Sequence, residues 1–466
     1  MTDIDIKFYQ RGDGRLDKPD DDIIARVLAQ EWAGKRACLR DEWFTWNGVA
    51  WIAEDTKAVK REIMEFLYTR TAGNRNTAGK VNSVEQLARW HCYVPDSAVD
   101  CGGDFIPLKN GLYDLTNHTL GEGKKELYIT SQLDFPYDED ADCPNWRKFL
   151  NSSLVDEDGN TDWNLVSLVQ EAVGYSLTAK TDMKKAFWLE GKPDSGKSTF
   201  VAALKALSGH YYAALDLSQM GSNRFLFSGI VGKRVIAATE ADAGAVLPDA
   251  LFKTLVSPSD DVYADRKNKD AITFRPTAKL WWAMNKAPIV TDRSGAVFNR
   301  LIIIPFNRSV PQSERILNLL DLLTEERSGI FNWAMVGYKR LARAGQFTDC
   351  QQSVEKRRDY QKRSDTEGLY LDECCDREAG SSTPGATLYA HYRNWCLDNG
   401  YRPKSAAAVA EDWLRLGINR TRQKGISVWH GVKIREVNLN GSGATEFFQK
   451  QNSPATSATS ATQIPF

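Results

Sequence analysis

The chain has 466 residues, 42% of them apolar and 14 of them tryptophan, which makes it globular and long enough for two to four domains with buried cores. Its 60 lysines and arginines balance 61 aspartates and glutamates, so nothing pulls the whole chain toward nucleic acid, and any such site must be a local patch. No apolar run is long enough to span a membrane and no basic-then-apolar leader opens the chain; eight cysteines without a C-x-x-C and five scattered histidines argue for a reducing cytoplasm and against a zinc site.

Residues 1–20 are polar and read as a flexible tail. Residues 21–145 predict an α+β N-terminal domain. Ile24, Val27, Leu28 and Trp32 share one helical face, and the run from Trp43 to Trp51 reads as a hairpin turning at Asn47-Gly48. Its tryptophans alternate along the strands as core side chains do, although rings in such a row can also stack on bases. Residues 55–96 are amphipathic and helical, 105–115 form a second hairpin, and the acidic stretch 138–146 reads as a linker.

The stretch that organises the next region, 146–350, is Gly191-Lys192-Pro193-Asp194-Ser195-Gly196-Lys197-Ser198-Thr199. It follows the strand-like Ala186-Phe187-Trp188-Leu189 and precedes Phe200, Ala203, Leu204 and Leu207 at helical spacing. This is G-x-x-x-x-G-K-S between a strand and a helix, the phosphate-binding loop. Its glycines let backbone N–H groups turn toward phosphates, and the helix N-terminus adds its positive dipole end. Lys197 would reach the β- and γ-phosphates of ATP, and the Ser198 hydroxyl would sit on Mg²⁺.

Downstream, Val235-Ile236-Ala237-Ala238 predicts a buried strand that runs into Thr239-Glu240-Ala241-Asp242. Glu240 and Asp242 would share a face; either is the base for the attacking water, with the other on Mg²⁺, and Glu240 is preferred. Residues 262–274 predict a hairpin whose tip carries Arg266, Lys267 and Lys269. A strand over 280–284 ends at Asn285, an amide placed to sense the γ-phosphate, and Arg300 precedes a strand over 301–304. Four strands with helices between them imply a mostly parallel α/β sheet covered on both faces.

Residues 351–380 read as a charged helical connector. Within 381–440 two helices, the second capped by Ser405, precede short strands turning at Lys424-Gly425, which suggests a winged helix. Residues 380–440 hold nine lysines and arginines against four acids, a local excess that supports phosphate contact, with Arg402, Lys404, Arg420, Arg422 and Lys424 as candidates. Residues 441–466 read as a disordered tail. Its end, Ile464-Pro465-Phe466, is similar to the tip by which bacterial single-stranded DNA-binding proteins dock host replication proteins, but lacks the acids that normally precede that tip.

The order of these parts resembles the superfamily 3 helicases, most closely the phage- and plasmid-encoded primase–helicase branch with its poxvirus-type relatives. The resemblance rests on the phosphate loop, Gly232-Lys233-Arg234 leading to Thr239-Glu240, the basic hairpin, Lys279-Leu280-Trp281-Trp282-Ala283-Met284-Asn285 and Asn299-Arg300-Leu301-Ile302-Ile303-Ile304-Pro305-Phe306. It extends to Asn110-Gly111-Leu112-Tyr113-Asp114 and Gly329-Ile330-Phe331-Asn332-Trp333-Ala334, and runs from about residue 30 to about residue 440. It implies an AAA+-like ATPase core that forms a hexameric homo-oligomer around single-stranded DNA, with duplex DNA held at the C-terminal domain. Lys197 and Ser198 then map to nucleotide and metal, Glu240 to the acidic motif, Asn285 to the sensor, Arg300 to an arginine finger reaching the neighbour's ATP, and Lys267 and Lys269 to the channel hairpin. Lys253 matches a lysine often seen there. Ser257-Pro258-Ser259-Asp260 departs from the usual Gly-Gly-Asp, and Asn299 stands where a second arginine is common, which puts more weight on Arg300. The expectation is a replicative helicase without primase activity, in the cytoplasm of a bacterial host. The rival is an initiator that uses ATP to assemble on and melt an origin.

Overall fold

The computed structural model describes residues 12, 16–17, 20–72, 77–215, 226–238, 246–257, 259–267, 269–283, 287–290, 292, 295–423 and 425–435. The chain divides into two compact units, Met1–Ser364 and Asp365–Phe466.

The first unit opens with α1 (Asp21–Glu31), capped by the Asp20 carboxylate, which accepts from the Ile23 N–H. Four strands follow, β1 (Arg36–Leu39), β2 (Glu42–Trp46), β3 (Trp51–Glu54) and, after helices α2 (Thr56–Arg70) and α3 (Ala78–His91), β4 (Tyr93–Val94). They order as β3–β2–β1–β4. Two of the three hairpin tryptophans, Trp43 and Trp51, are buried core residues and Trp46 is half-buried; Trp43 Nε1 donates to the Glu85 carboxylate at 2.7 Å. One expectation needs correction. Part of the presumed flexible tail is anchored, because Leu16 and Asp17 pair in parallel with Thr71 and Ala72 and the apolar Leu16 side chain joins the core of α1 to α3. A meander of β5 (Phe105–Leu108), β6 (Gly111–Asp114) and β7 (Leu120–Gly121) completes this region.

Helices α4 (Pro144–Ser153) and α5 (Trp163–Leu177) lead into a five-stranded sheet. Its parts in chain order are β8 (Ala186–Gly191), α6 (Lys197–Ser208), β9 (Tyr212–Ala214), β10 (Val235–Ala238), α7 (Asp249–Leu255), the hairpin β11 (Val262–Arg266) and β12 (Lys269–Phe274), β13 (Lys279–Ala283), α8 (Ala296–Asn299) and β14 (Leu301–Phe306). The spatial order is β9–β10–β13–β8–β14 with every pair parallel. Burial alternates between two cores. Phe187, Leu189, Trp281, Ile302 and Ile304 face α4 to α6 and the helices α9 (Leu319–Glu325) and α10 (Arg327–Ala344). Trp188, Leu280, Trp282, Leu301 and Ile303 face α7, the hairpin and α11 (Gln351–Ser364). A sheet buried on both faces reads as unbroken apolar runs, which is why the strands were legible. The fifth, β9, is three residues long and carries no such run.

The stretch between the meander and α4 is packed, not loose. Asn332 Nδ2 donates to the carbonyls of Asp138, Glu139 and Ala141, and a Cβ on Gly329 would collide with the Asp142 carbonyl. Thus Gly329 and Asn332 of α10 hold the chain where it enters the sheet region.

The second unit contains α12 (Thr366–Cys374), β15 (Cys375–Asp376), β16 (Ser382–Pro384), α13 (Gly385–Asp398), α14 (Ala406–Arg415), β17 (Asn419–Gln423), β18 (Ile426–His430) and β19 (Lys433–Ile434). The strands form an antiparallel sheet β16–β18–β17 and a β15–β19 pair. Tyr370, Leu388, Tyr392, Val409, Trp413, Trp429 and Val432 make its core. Both units together give a mixed α/β chain.

Candidate phosphate-binding site

Gly191 ends β8, and a Cβ there would collide with the carbonyl oxygen of its partner Phe306, so only glycine fits. Asp194 and Gly196 follow with φ of +59° and +93°, left-handed values that turn the backbone sharply back. Beneath Gly196 lie the Phe149 ring, 3.0 Å from where a Cβ would stand, and the Ser153 hydroxyl at 3.4 Å. Lys197 then begins α6. Its side chain is buried, and its Nζ donates to the carbonyls of Gly191 (2.6 Å) and Lys192 (2.7 Å) and to Ser195 Oγ (3.2 Å). Burial pulls its pKa down from the usual lysine value. Ser195 is buried, whereas the Ser198 hydroxyl is exposed at the first turn of α6, with Thr199 half-buried beside it.

The segment after β14 braces the loop. Val310 N donates to the Asp194 carbonyl at 2.9 Å, Ser309 Oγ to that of Pro193 at 3.2 Å, and Arg315 stands 3.1 Å from the Asp194 carboxylate. On α11, Lys356 and Arg363 each lie 3.7 Å from the carboxylate of Glu190, the residue before the loop. None of these partners carries a local motif; only the fold brings them to the loop. The loop also lies where binding is expected in such a sheet, outside the carboxyl end of β8. There the chain leaves for the far edge, β9, and later returns to β14 on the other side.

The other expected site residues fall differently. Glu240, Asp242 and Asn285 lie outside the described residues, just beyond the carboxyl ends of β10 and β13. Both strands neighbour each other in the sheet, and β13 pairs with β8. Arg300 follows α8 and precedes β14; its Nη1 donates to the Ala296 carbonyl, and its buried Nε has no hydrogen-bond partner among the described residues. Because Ala186 pairs with Leu301 and Gly191 with Phe306, Arg300 sits at the end of the sheet opposite the phosphate loop. Five strand residues separate the two ends, roughly 17 Å.

The hairpin β11–β12 forms as expected. Lys267 is exposed at its tip, while Arg266 is mostly buried and leans to 4.0 Å from Asp41; the Lys269 side chain lies outside what is described. Lys253 pairs with Asp292 at 3.1 Å. In the second unit Arg402, Arg420 and Arg422 are exposed, and Lys424 lies outside the described residues, as do 441–466. Lys404 is spent internally: its Nζ is 3.0 Å from the fully buried Glu367 and 2.6 Å from Asp412, so its charge balances acids rather than facing outward.

Residues 25–155 match the model of the D5 N terminal like family, and residues 189–300 match a family of unknown function (DUF5906). The helicase-named protein 184R of Invertebrate iridescent virus 6 is 24% identical over 248 residues, covering 50% of this chain and 25% of that protein. The helicase-named protein L207/L206 of Acanthamoeba polyphaga mimivirus is 21% identical over 298 residues, covering 61% and 30%. The chain thus spans between a quarter and a third of the length of these relatives. Among solved structures, the apo form of the NrS-1 C-terminal region aligns over 89% of this chain and all of that one, with a TM-score of 0.47 and 11% identity. No described helix is long and apolar enough to cross a membrane.

Proposed function

We propose that this chain, a relative of the phage-type superfamily 3 primase–helicases, is an ATP-dependent DNA helicase whose subunits assemble head-to-tail into a ring, as a hexamer, around single-stranded DNA. The observation that carries this reading is the separation of Arg300 from Gly191 by the full length of β8 and β14. An arginine in that position cannot reach the phosphates of its own loop. It reaches nucleotide only when it belongs to another copy, and such a finger contributes about three to five orders of magnitude in rate.

The residues of the loop fit a magnesium-bound triphosphate. Glycines let the loop pass close over Phe306 and Phe149, a buried ammonium has only neutral acceptors among the described residues, and an exposed serine opens the helix. Lys197 exchanges the Gly191 and Lys192 carbonyls for phosphate oxygens, a charge-assisted and therefore stronger pairing. Ser198 would hold Mg²⁺, which would supply positive charge to neutralise the triphosphate. Glu240 or Asp242 takes the proton of the attacking water, and Asn285 positions that water against the γ-phosphate. Lys267 and Lys269 at the hairpin tip contact the strand in the channel.

On this reading the sheet region is an AAA+-like core and the second unit a winged helix for duplex DNA. The protein works in the cytoplasm of a bacterial host, alongside host replication proteins. The deciding experiment is strand displacement on a tailed duplex together with mass measurement in the presence of nucleotide and DNA. Displacement by an oligomer supports a motor. DNA-stimulated hydrolysis without displacement supports the origin-melting initiator, and a strict monomer in every condition overturns the ring.

A further inference from the structure

We infer that the second unit grips duplex DNA by its phosphates along the edge strand β17, and that α14, the helix placed to read bases, does not read them. This rests on the reading of that unit as a duplex-binding winged helix. In modules of two helices followed by strands, sequence is read when the second helix enters the major groove with polar side chains that span a base edge, chiefly Arg, Lys, Asn and Gln.

The solvent side of α14 offers Ala406, Ala407, Glu411, Leu414 and Arg415. Alanine is too short to reach a base edge, Leu414 is apolar, and Glu411 repels phosphates. The one cation, Arg415, is held by Asp365 at 3.1 Å and by Asp412 at 3.5 Å. Lys404, just before the helix, is committed to Glu367 and Asp412. The face that would meet the groove therefore presents no unengaged donor of the right reach.

The edge strand is the opposite. Arg420 and Arg422 are exposed, lie two residues apart and so share one face of β17, and β17 is the outer strand of its sheet. Neither has an acidic partner among the described residues. The Arg420 guanidinium lies 5.6 Å over the ring of the buried Trp429, its cross-strand partner, which holds it in place without consuming its charge. Two exposed cations on a fixed strand bind a polyanion whatever its sequence. A competing explanation is that edge arginines only discourage strand-to-strand aggregation.

The test uses the full-length chain without nucleotide, short blunt duplexes of unrelated sequence, and affinity measured across a salt series. R420A/R422A should lower affinity on the order of fiftyfold near 0.1 M salt and flatten the log–log salt slope by about 1.8, from about 0.9 per phosphate released. R420K/R422K should keep most of the affinity, since phosphates accept either cation while bidentate base reading does not. A407E adds an acid where a helix N-terminus favours one, so it folds, and should change affinity by less than about threefold. The inference is overturned if R420A/R422A binds as the parent does, if A407E abolishes binding, or if one duplex binds at least about a hundredfold better than the rest. Failure of the parent chain to bind any blunt duplex instead removes the duplex-binding reading itself, and the inference with it.

Discussion

The Lys197 ammonium lies 2.6 Å from the carbonyl oxygen of Gly191, tying the start of α6 back to the first residue of the candidate phosphate loop. Lys197→Ala removes the buried cation of that loop, leaving only the exposed Lys192. Phosphate release should fall to background, while blunt-duplex binding by the second unit stays within about twofold of the parent, since the contacts proposed for Arg420 and Arg422 are untouched. Loss of both together would show that hydrolysis and duplex binding are not separate parts.

Arg300 gives a sharper test because it lies at the other end of the sheet. Arg300→Ala and Lys197→Ala subunits should each be inactive alone. Mixed, they should regain a measurable fraction of the parent rate, because some junctions then combine an intact loop with an intact arginine. Mixtures that stay at background would place Arg300 outside the reaction.

Gly329→Ala probes the anchoring of the chain ahead of α4. The added methyl meets the Asp142 carbonyl, and both partners are backbone, so relief requires moving a helix. The first unit should lose about 2 kcal/mol of stability in thermal or urea unfolding. An unchanged melting curve would mean that α10 shifts freely, contrary to the bonds Asn332 makes to three carbonyls.

Lys404→Ala separates structure from DNA contact. Glu367 is fully buried and would lose its cation, a loss of about 2–3 kcal/mol for a partly exposed pair. Thermal unfolding of the second unit should shift down, whereas duplex affinity below that transition should hold. A large loss of affinity in a variant that melts normally would return Lys404 to the DNA surface.

Trp43→Phe does the same for the N-terminal hairpin. It leaves the Glu85 carboxylate without one of its donors in a buried setting, which costs about 1–2 kcal/mol. Affinity for single strands should not change; a marked drop would mean the ring stacks on bases.

The parts most legible in the sequence were those fixed by short-range chemistry. The glycine turn between β8 and α6, the apolar strands of a doubly covered sheet and the Ser405 cap are all local, and each is where the pattern put it. What escaped depends on distant neighbours. Nothing near Arg315 or Phe149 announces that one ties down Asp194 and the other floors Gly196. Lys404 shows the limit of counting charge along a chain: Glu367, which consumes that charge, stands outside the segment whose excess looked basic. Leu16 fell into a polar stretch, yet one apolar side chain and two backbone pairings were enough to hold it.

The parallel pairing of β8 with β14 also gives the molecule a direction. On the proposed reading, the loop at one end of that pair and the arginine at the other are two unlike halves of a junction, so two copies meeting face to face by a twofold axis would complete neither. Only translation-like stacking, each head on the next tail, satisfies both halves, and such stacking either closes after a fixed number of steps or continues as a spiral. Closure is then decided by the angle at each junction and not by any residue at the reaction centre. A substitution far from the loop that changes that angle would turn a ring into a filament with its chemistry intact.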